Sequence, residues 1–289
     1  MALDSGASVV VPVYNDPEGV RSSLDSILEH TGTDQLAEIV VVDNDSTDET
    51  PAVVSEYAAD SELVTLARET EIQSSYAARN TGIEQAEGDV LVFLDADVTV
   101  TEGWLETALD RLDTLDAHYL APDVELGPPE PPTLAARYNH TTGFPIQDFI
   151  EQHNYAPTAC LFVRRELIDE VGPFDERLVS GGDLEFGNRV YEAGYDLHYA
   201  PEITVSHPVR TSLPSLFRRN VRIGRGHCQL QRYHPERYGR VGIPPRPSGI
   251  RGQQYEGVKS RLTFGPVDLA MTATRGLGYY RECVSTLVR

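Results

Sequence analysis

Short apolar runs alternate with helical patterns in the first part of the chain, and this alternation limits the folds that the chain can adopt. The run of apolar residues Val90–Leu94 predicts a strand that is buried on both faces. Similar runs begin at Ser8, Glu38 and Leu63, and a segment with helical spacing follows each of them. This order predicts an α/β fold with a mostly parallel sheet and right-handed crossovers.

Polar side chains follow three of these predicted strands. Asn15 comes after the first strand, Asp43 ends the second, and Asp95 and Asp97 follow Val90–Leu94. The carboxyl ends of parallel strands lie along one edge of a sheet, where α/β proteins bind their ligands. Two aspartates two residues apart could share a divalent cation, although the same pair could instead cap the next helix.

The glycine-rich motifs of two other nucleotide-binding folds are absent from the sequence. No Gly-x-Gly-x-x-Gly follows the first strand, which disfavours a dinucleotide-binding domain. No Gly-x-x-x-x-Gly-Lys-[Ser/Thr] occurs either, which excludes a P-loop. The segment that begins at Asp43 resembles a calcium-binding loop, but Asp48 and Val54 stand where such a loop needs glycine and glutamate.

The net charge of −21 is distributed unevenly along the chain. Met1–Ala200 contains 40 acidic and 9 basic residues, a net charge of −31, whereas Pro201–Arg289 contains 5 acidic and 15 basic residues, a net charge of +10. Lys259 is the only lysine. Such an acidic surface resembles that of proteins from salt-loving organisms, and we expect a halophilic archaeon as the source. It would repel nucleic acid, so we expect no nucleic-acid partner.

The basic last third of the chain needs a separate explanation. Arg218, Arg219 and Arg222 recur at helical spacing there and could clamp a diphosphate or a lipid-phosphate acceptor, because guanidinium groups bind phosphate in a bidentate manner. The basic surface would also suit anionic lipid headgroups. The alternatives are that the arginines pair with the acidic part of the chain, or that they form a plain solvated tail.

Cysteine content and hydropathy bear on the cellular location. Cys160, Cys228 and Cys283 are odd in number and lack metal-binding spacing, which favours a reducing compartment. No hydrophobic signal-peptide region precedes Val9, and no apolar run approaches the length of a membrane span. We expect a cytoplasmic protein that could contact the inner face of the cell membrane peripherally.

Several motifs, in order and at matching spacing, resemble those of the family 2 glycosyltransferases over about residues 7–210. They are Val9–Asn15, Val41–Asp48, Ala78–Gly82, Leu94–Asp97, Gly181–Phe186, Ala193–Tyr195 and Val205–His207. The resemblance implies the GT-A fold, a Rossmann-like, mostly parallel sheet flanked by helices. It divides the chain into a nucleotide-sugar-binding and catalytic domain, residues 1–210, and a basic, mostly helical C-terminal extension, residues 211–289, which would contact the acceptor or a membrane surface.

The resemblance also implies roles for residues on the donor side. Pro12, Tyr14 and Asn15 would bind the donor, with Pro12 and Tyr14 bordering the base. Asp43 would hydrogen-bond the uracil or the ribose, although it could also only cap the next helix. Arg79 would lie near the diphosphate or shape its loop, and the alternative is an arginine on the surface of a helix.

The metal ligands are implied in the same way. Asp97 would bind the metal directly, while Asp95 would face the ribose and a metal-bound water. His207 would be a further ligand, and a neutral imidazole suits Mn²⁺ better than Mg²⁺. The alternative for His207 is a buried, hydrogen-bonded histidine without a metal.

Asp183 matches the catalytic base of the family, which needs a carboxylate within reach of the acceptor hydroxyl. The family often has Glu-Asp at this point, whereas this chain has Gly182 before Asp183. Glu185 therefore stays as a second candidate carboxylate that would contact the acceptor, and Asp183 could also be a helix N-cap.

Together these patterns predict an inverting, metal-dependent glycosyltransferase that moves a sugar from a nucleotide sugar, expected to be a UDP-sugar, to an acceptor hydroxyl. The acceptor would be a lipid-phosphate-linked glycan in protein glycosylation or surface polysaccharide synthesis. The alternative is a non-catalytic protein of the same fold that binds sugar nucleotides or acts as a scaffold. A nucleotidyltransferase is disfavoured because no glycine-rich triphosphate loop lies near the first strand.

Overall fold

The computed structural model describes residues 6–32, 35–245 and 257–285. Its strands are β1 (Ala7–Val13), β2 (Leu36–Asp43), β3 (Val64–Arg68), β4 (Val90–Leu94), β5 (Tyr119–Leu126), β6 (Cys160–Arg164) and β7 (His198–His207). They form one sheet in the order β3-β2-β1-β4-β6-β5-β7. The central pairs β1–β2, β2–β3 and β1–β4 are parallel, and so is β5–β7. The predicted mostly parallel sheet is confirmed, and β6 alone among these strands runs antiparallel to its neighbours.

Helices cover both faces of this sheet. They are α1 (Pro17–His30), α2 (Thr50–Asp60), α3 (Ser75–Gln85), α4 (Trp104–Thr114), α5 (Leu134–Thr142), α6 (Ile146–His153), α7 (Arg165–Val171), α8 (Gly182–Glu192), α9 (Leu213–Tyr233), α10 (Pro235–Tyr238) and α11 (Gly257–Ser285). The start of α1 shows how the sequence sets such boundaries. The Asp16 carboxylate accepts a hydrogen bond from the Gly19 amide, and Pro17 occupies the first turn, where it loses no helical hydrogen bond.

The core lies on both sides of the central strand. Every residue of β4 is fully buried, which confirms the prediction for Val90–Leu94. On one face Phe93 contacts Phe174, with ring centroids 5.0 Å apart. Elsewhere in the core Trp104 of α4 packs on Phe162 of β6. Because this strand is held on both faces, the aspartates that follow it start from a rigid position.

The C-terminal helices α9 and α11 pack against each other through glycines. A Cβ atom at Gly224 would lie 1.9 Å from the Arg275 carbonyl oxygen, and one at Gly278 would lie 2.1 Å from the Val221 carbonyl oxygen. A small apolar cluster also joins this pair to α5, and its buried members are Ala135, Tyr138, Leu216, Phe264, Val267 and Met271. The predicted helical extension is confirmed, whereas the domain division at residue 210 stays a prediction.

We expect substitutions at two nearby glycines of α11 to have opposite effects on stability. Gly278→Ala should lower the free energy of unfolding by about 1–3 kcal/mol, because the new methyl group meets backbone that cannot move aside. Gly276→Ala should raise it by about 0.5–1 kcal/mol, since no atom lies within 4 Å of the new Cβ and alanine favours a helix. Denaturant unfolding measures both, and equal effects would contradict the packing described.

Candidate active site

The loop after β4 brings the two predicted aspartates to the end of β7. The Asp95 amide donates to the Ala159 carbonyl oxygen at 3.0 Å, and the Val98 amide donates to the Asp95 carbonyl oxygen at 3.0 Å, which closes a tight turn. Thr99 and Ser206 then pair as an antiparallel bridge, with each amide 2.9 Å from the carbonyl oxygen of the other residue. This bridge fixes the Asp97 loop beside the last residue of β7, which is His207.

Asp95, Asp97 and His207 form a group that could hold a metal ion. One ligand atom from each residue lies within 4.8 Å of the others, and Asp97 Oδ1 is 3.7 Å from His207 Nε2. His207 Nδ1 lies 2.9 Å from the Pro208 carbonyl oxygen, which can only accept a hydrogen bond. In the neutral imidazole the proton is therefore on Nδ1, which leaves the lone pair of Nε2 for a metal ion. Two carboxylates and a neutral imidazole suit a divalent cation such as Mn²⁺.

Arg79 is buried beneath this group. Its side chain is 3% exposed, and its guanidinium lies 2.6 Å from Asp95 Oδ1. It also donates to the carbonyl oxygens of Ser75 at 3.1 Å and Thr158 at 3.4 Å. These contacts exclude the alternative of an arginine on the helix surface. Arg79 orients Asp95 and joins it to α3.

The surroundings of Asp97 disfavour the charged form of its carboxyl group. Burial raises the pKa of Asp97, and the neighbouring Asp95 carboxylate raises it further, while His207 acts in the opposite direction. Removing water from a carboxylate disfavours its charged form. A cation between Asp95, Asp97 and His207 would offset this penalty.

Asp183 lies in the first turn of α8 and lines the same cavity as the metal-binding group. Gly181, with a φ of 87°, is the N-cap, so the structure does not place Asp183 at the cap position. Asp183 Oδ1 accepts hydrogen bonds from the Leu184 amide at 3.0 Å and from the Tyr76 hydroxyl at 3.3 Å. Burial raises the pKa of Asp183, and these hydrogen bonds act against that shift.

The structure places Glu185 away from this site, which corrects its assignment as a carboxylate near the acceptor. Its side chain is 1% exposed, and both carboxylate oxygens lie 2.9 Å from Arg189 Nε. Arg237 approaches the same carboxylate at 3.3 Å. These ion pairs occupy the Glu185 carboxylate. Asp183 lines the cavity beside the metal-binding group and Glu185 does not, so Asp183 is better placed to contact an acceptor.

One cavity of about 380 Å³ contains both halves of the site. Its wall includes Asp95, Asp97, His207, Asp183 and Arg79, together with the arginines Arg210, Arg219 and Arg222. A second cavity of about 630 Å³ adjoins it and is bounded by α5, α6, α9 and α11. Arg219 and His227 line both cavities, so the two are immediate neighbours.

The arginine wall corrects one detail of the sequence prediction. Arg219 and Arg222 line the smaller cavity as expected, but Arg218 is exposed and lines neither cavity. Arg210, which the sequence did not single out, lines the smaller cavity as well. Arg218 and Arg219 both stand within one turn of Arg222, so helical spacing could not distinguish them, and only the packing of α9 decides which of the two faces the site.

Arg210, Arg219 and Arg222 line one cavity, and among the described residues none of them forms an ion pair with a carboxylate. Burial and the neighbouring arginines lower the pKa of Arg219 to about 10. Its guanidinium lies over the Phe144 ring, 5.9 Å from the centroid. Burial, with a smaller contribution from Arg275, lowers the pKa of His227 to about 4, so this imidazole is neutral near pH 7. A wall of this kind attracts an anionic group such as a phosphate.

The donor-side residues Pro12, Tyr14, Asn15 and Asp43 lie at the carboxyl ends of β1 and β2, outside the lining of both cavities. The strand order β2-β1-β4 places them along the edge that carries Asp95. The Asn15 side chain accepts a hydrogen bond from the Thr47 amide at 2.8 Å and thereby shapes the neighbouring loop. Their roles toward a donor stay predictions.

Comparisons with known proteins agree with this geometry. Residues 8–172 match glycosyl transferase family 2. Glycosyltransferase AglE of Haloferax volcanii is 35% identical over 223 residues, which cover 77% of this chain and 73% of that protein. The pre-mycofactocin glycosyltransferase of Mycobacterium tuberculosis is 28% identical over 248 residues, which cover 80% of this chain and 48% of that protein.

Two solved structures share the fold. The mannosyltransferase PcManGT from Pyrobaculum calidifontis, in complex with GDP-Man and Mn²⁺, superposes with a TM-score of 0.61 at 20% identity, over 98% of this chain and 79% of that one. TarS of S. aureus in complex with UDP-GlcNAc gives a TM-score of 0.57 at 22% identity, over 78% of this chain and 66% of that one. The fold is therefore GT-A, and the chain is a glycosyltransferase. It belongs to glycosyl transferase family 2.

The group formed by Asp95, Asp97 and His207 leads to a prediction that can be tested without measuring catalysis. Asp97→Asn and His207→Gln should each weaken Mn²⁺ binding by about tenfold or more, because each removes one of three candidate ligands. Isothermal titration with MnCl₂ measures this. Glu106→Gln removes an exposed carboxylate on α4 and should leave the affinity unchanged. Equal Mn²⁺ affinity in all four proteins would rule out this group as the metal site.

Proposed function

We propose that this glycosyltransferase transfers a sugar from a nucleotide-sugar donor, with uridine diphosphate as the leaving group, to an acceptor hydroxyl with inversion at the anomeric carbon. The observation that carries the proposal is the single cavity whose lining includes Asp95, Asp97 and His207 together with Asp183. A departing diphosphate and an attacking hydroxyl need different partners, and this cavity offers both.

Asp95, Asp97 and His207 would hold Mn²⁺ or Mg²⁺. When bound, the cation supplies positive charge for the diphosphate oxygens of the donor. The rest of the chain orients the ligands: Arg79 fixes Asp95, and the Pro208 carbonyl group fixes the tautomer of His207. The Mn²⁺ in the PcManGT complex supports a divalent cation in a protein of this fold.

Asp183 would act as the general base. As the acceptor oxygen attacks the anomeric carbon, its proton passes to the Asp183 carboxylate and the bond from the anomeric carbon to the diphosphate oxygen breaks on the opposite face. A base works best when its pKa lies near the working pH, and burial moves the pKa of Asp183 in that direction. The Tyr76 hydroxyl and the Leu184 amide hold the carboxylate in place.

Pro12, Tyr14, Asn15 and Asp43 would bind the base and ribose of the donor. They stand on the same edge of the sheet as Asp95, one and two strands away. The donor would then lie across the carboxyl ends of β2, β1 and β4 with its diphosphate at Asp97. UDP-GlcNAc in TarS and GDP-Man in PcManGT support a nucleotide sugar but differ in their base, so a donor panel needs both.

The larger cavity would receive the acceptor. Its wall combines guanidinium groups, Arg219 and Arg275, with apolar and aromatic side chains such as Tyr138, Phe149 and Met271. This mixture fits a phosphate that is joined to an apolar chain. We therefore propose a lipid-phosphate-linked glycan as the acceptor, in protein glycosylation or surface polysaccharide synthesis, with the enzyme on the cytoplasmic side of the membrane and in peripheral contact with it.

Release of nucleoside diphosphate from a panel of UDP- and GDP-sugars, in about molar KCl with and without Mn²⁺, tests the reaction. Release from one donor should require Mn²⁺ and should fall by about a hundredfold or more in Asp97→Asn and Asp183→Asn, since each removes an essential group. Glu185→Gln is the control for the base. It breaks buried ion pairs and should lower stability, while folded protein keeps its rate.

Two results would contradict this assignment. A rate in Asp183→Asn equal to that of the normal chain would exclude Asp183 as the base. Metal-dependent donor binding without turnover, even when lipid-phosphate acceptors are supplied, would favour the non-catalytic alternative.

The raised pKa of Asp183 also makes a prediction about pH. The rate should fall as the pH drops through this raised pKa, because the protonated carboxyl group cannot accept a proton. Tyr76→Phe removes a hydrogen bond that stabilises the carboxylate, so the acid limb of kcat/KM should move up by about 0.5–1 pH unit. A pH–rate profile that is identical in both proteins would argue against Asp183 as the titrating group.

A further inference from the structure

The outward face of α11 carries a continuous row of apolar side chains. Its members are Leu262, Leu269, Leu277, Tyr280 and Val284, which we call the outer stripe, and they are 73%, 72%, 64%, 52% and 57% exposed. At the usual rotation of a helix they fall within roughly 80° of its circumference, over a length of roughly 33 Å. Scattered exposed leucines are ordinary, but an aligned row along one helix marks an interaction surface.

The face of α11 that carries the outer stripe has no acidic residues. The chain has 45 aspartates and glutamates, yet only Asp268 and Glu282 belong to α11. Both are directed inward: the Tyr138 hydroxyl donates to Asp268 at 2.7 Å, and Arg225 Nε lies 2.8 Å from Glu282. On a chain with a net charge of −21, an exposed apolar helix face without a carboxylate suits a partner that covers it.

The apolar surface continues beyond the helix. Ile243 is 81% exposed, and the Gly242 amide donates to the Tyr279 hydroxyl at 2.9 Å, which holds this loop beside the end of α11. Arg240 and Arg281 are exposed at the same end. Apolar side chains with basic residues at their border are the composition of a helix that lies in a membrane surface.

Charge decides between two partners for this face. A second copy of the chain would bring another basic C-terminal third, with its own net charge of +10, against the first. An anionic bilayer brings the opposite charge. Among the residues that the structure describes, no helix is long and apolar enough to cross a bilayer. We propose that α11 lies in the surface of an anionic membrane, with the outer stripe inserted between the lipids and Arg240 and Arg281 among the headgroups.

This placement sets the position of the larger cavity relative to the membrane surface. Met271 and Arg275, on the inward side of α11, line that cavity. A membrane-bound α11 therefore holds the cavity at the level of the headgroups, where the phosphate of a lipid-linked acceptor would lie. This last step rests on the proposed acceptor, whereas membrane binding by α11 does not.

Co-flotation of the full chain with phosphatidylglycerol vesicles tests the proposal. The normal chain should float with the vesicles, and Leu269→Glu/Leu277→Glu should reduce bound protein by about tenfold or more, because two apolar contacts become charges facing anionic lipid. The matched control is Ile72→Glu/Leu115→Glu, which changes exposed apolar residues (37% and 38%) elsewhere and should bind like the normal chain. Unchanged circular dichroism and Tm would show that both double variants are folded.

Three outcomes would overturn the proposal. They are no flotation of the normal chain, equal flotation of the outer-stripe variant, and a dimer in light scattering that the outer-stripe variant abolishes. Phosphatidylcholine vesicles should bind less of the normal chain, because the headgroup attraction is lost. Release of nucleoside diphosphate without vesicles should be equal in all three proteins, which separates a failure of membrane binding from a failure of the proposed reaction.

Discussion

The ion pair between the buried Arg79 and the half-buried Asp95 is the contact on which the rest of the site depends. Arg79 belongs to α3, Asp95 follows β4, and the same guanidinium also holds the Thr158 carbonyl group just before β6. One side chain therefore ties a helix and two loops together at the carboxyl edge of the sheet. Arginine suits this position because its planar fork satisfies several acceptors and keeps its charge when buried. The pair compensates the Asp95 carboxylate and leaves Asp97 as the less compensated of the two.

The cavity carries side chains of both charges. Asp95 and Asp97 supply negative charge, while Arg210, Arg219 and Arg222 supply positive charge. Among the residues that the structure describes, none of these three arginines forms an ion pair with either aspartate. Carboxylates suit a divalent cation and guanidinium groups suit a phosphate, so the two sets together fit the metal–diphosphate complex and the anionic acceptor that we propose. Because α9 supplies Arg219 and Arg222, part of the basic charge in the last third of the chain belongs to this cavity.

Local sequence patterns were sufficient to predict the central parallel strands of the sheet and the polar residues that follow them. Buried apolar runs located β1, β2 and β4, and the chain beyond each of them located Asn15, Asp43, Asp95 and Asp97. Long-range packing set the rest, which no local pattern contains. The bridge between Thr99 and Ser206 brings His207 to Asp97 from a strand more than a hundred residues away. The ion-pair partners of Glu185 lie on α8 and α10. Glu185 is only two residues from Asp183 in the sequence, but this closeness did not place its side chain in the same site. No pattern assigned α5 and α6, which wall the larger cavity.

Gly182, which precedes the proposed base Asp183, departs from the Glu-Asp that the family often has, and the structure supplies a steric reason for it. A Cβ atom at Gly182 would lie 2.8 Å from ring carbons of Tyr76, which is closer than real contacts of this type. The Tyr76 hydroxyl in turn donates to Asp183. A glutamate at this position would displace the ring that orients the carboxylate. The missing glutamate therefore does not indicate a site that has lost its chemistry, because the glycine makes room for the residue that holds Asp183 in place.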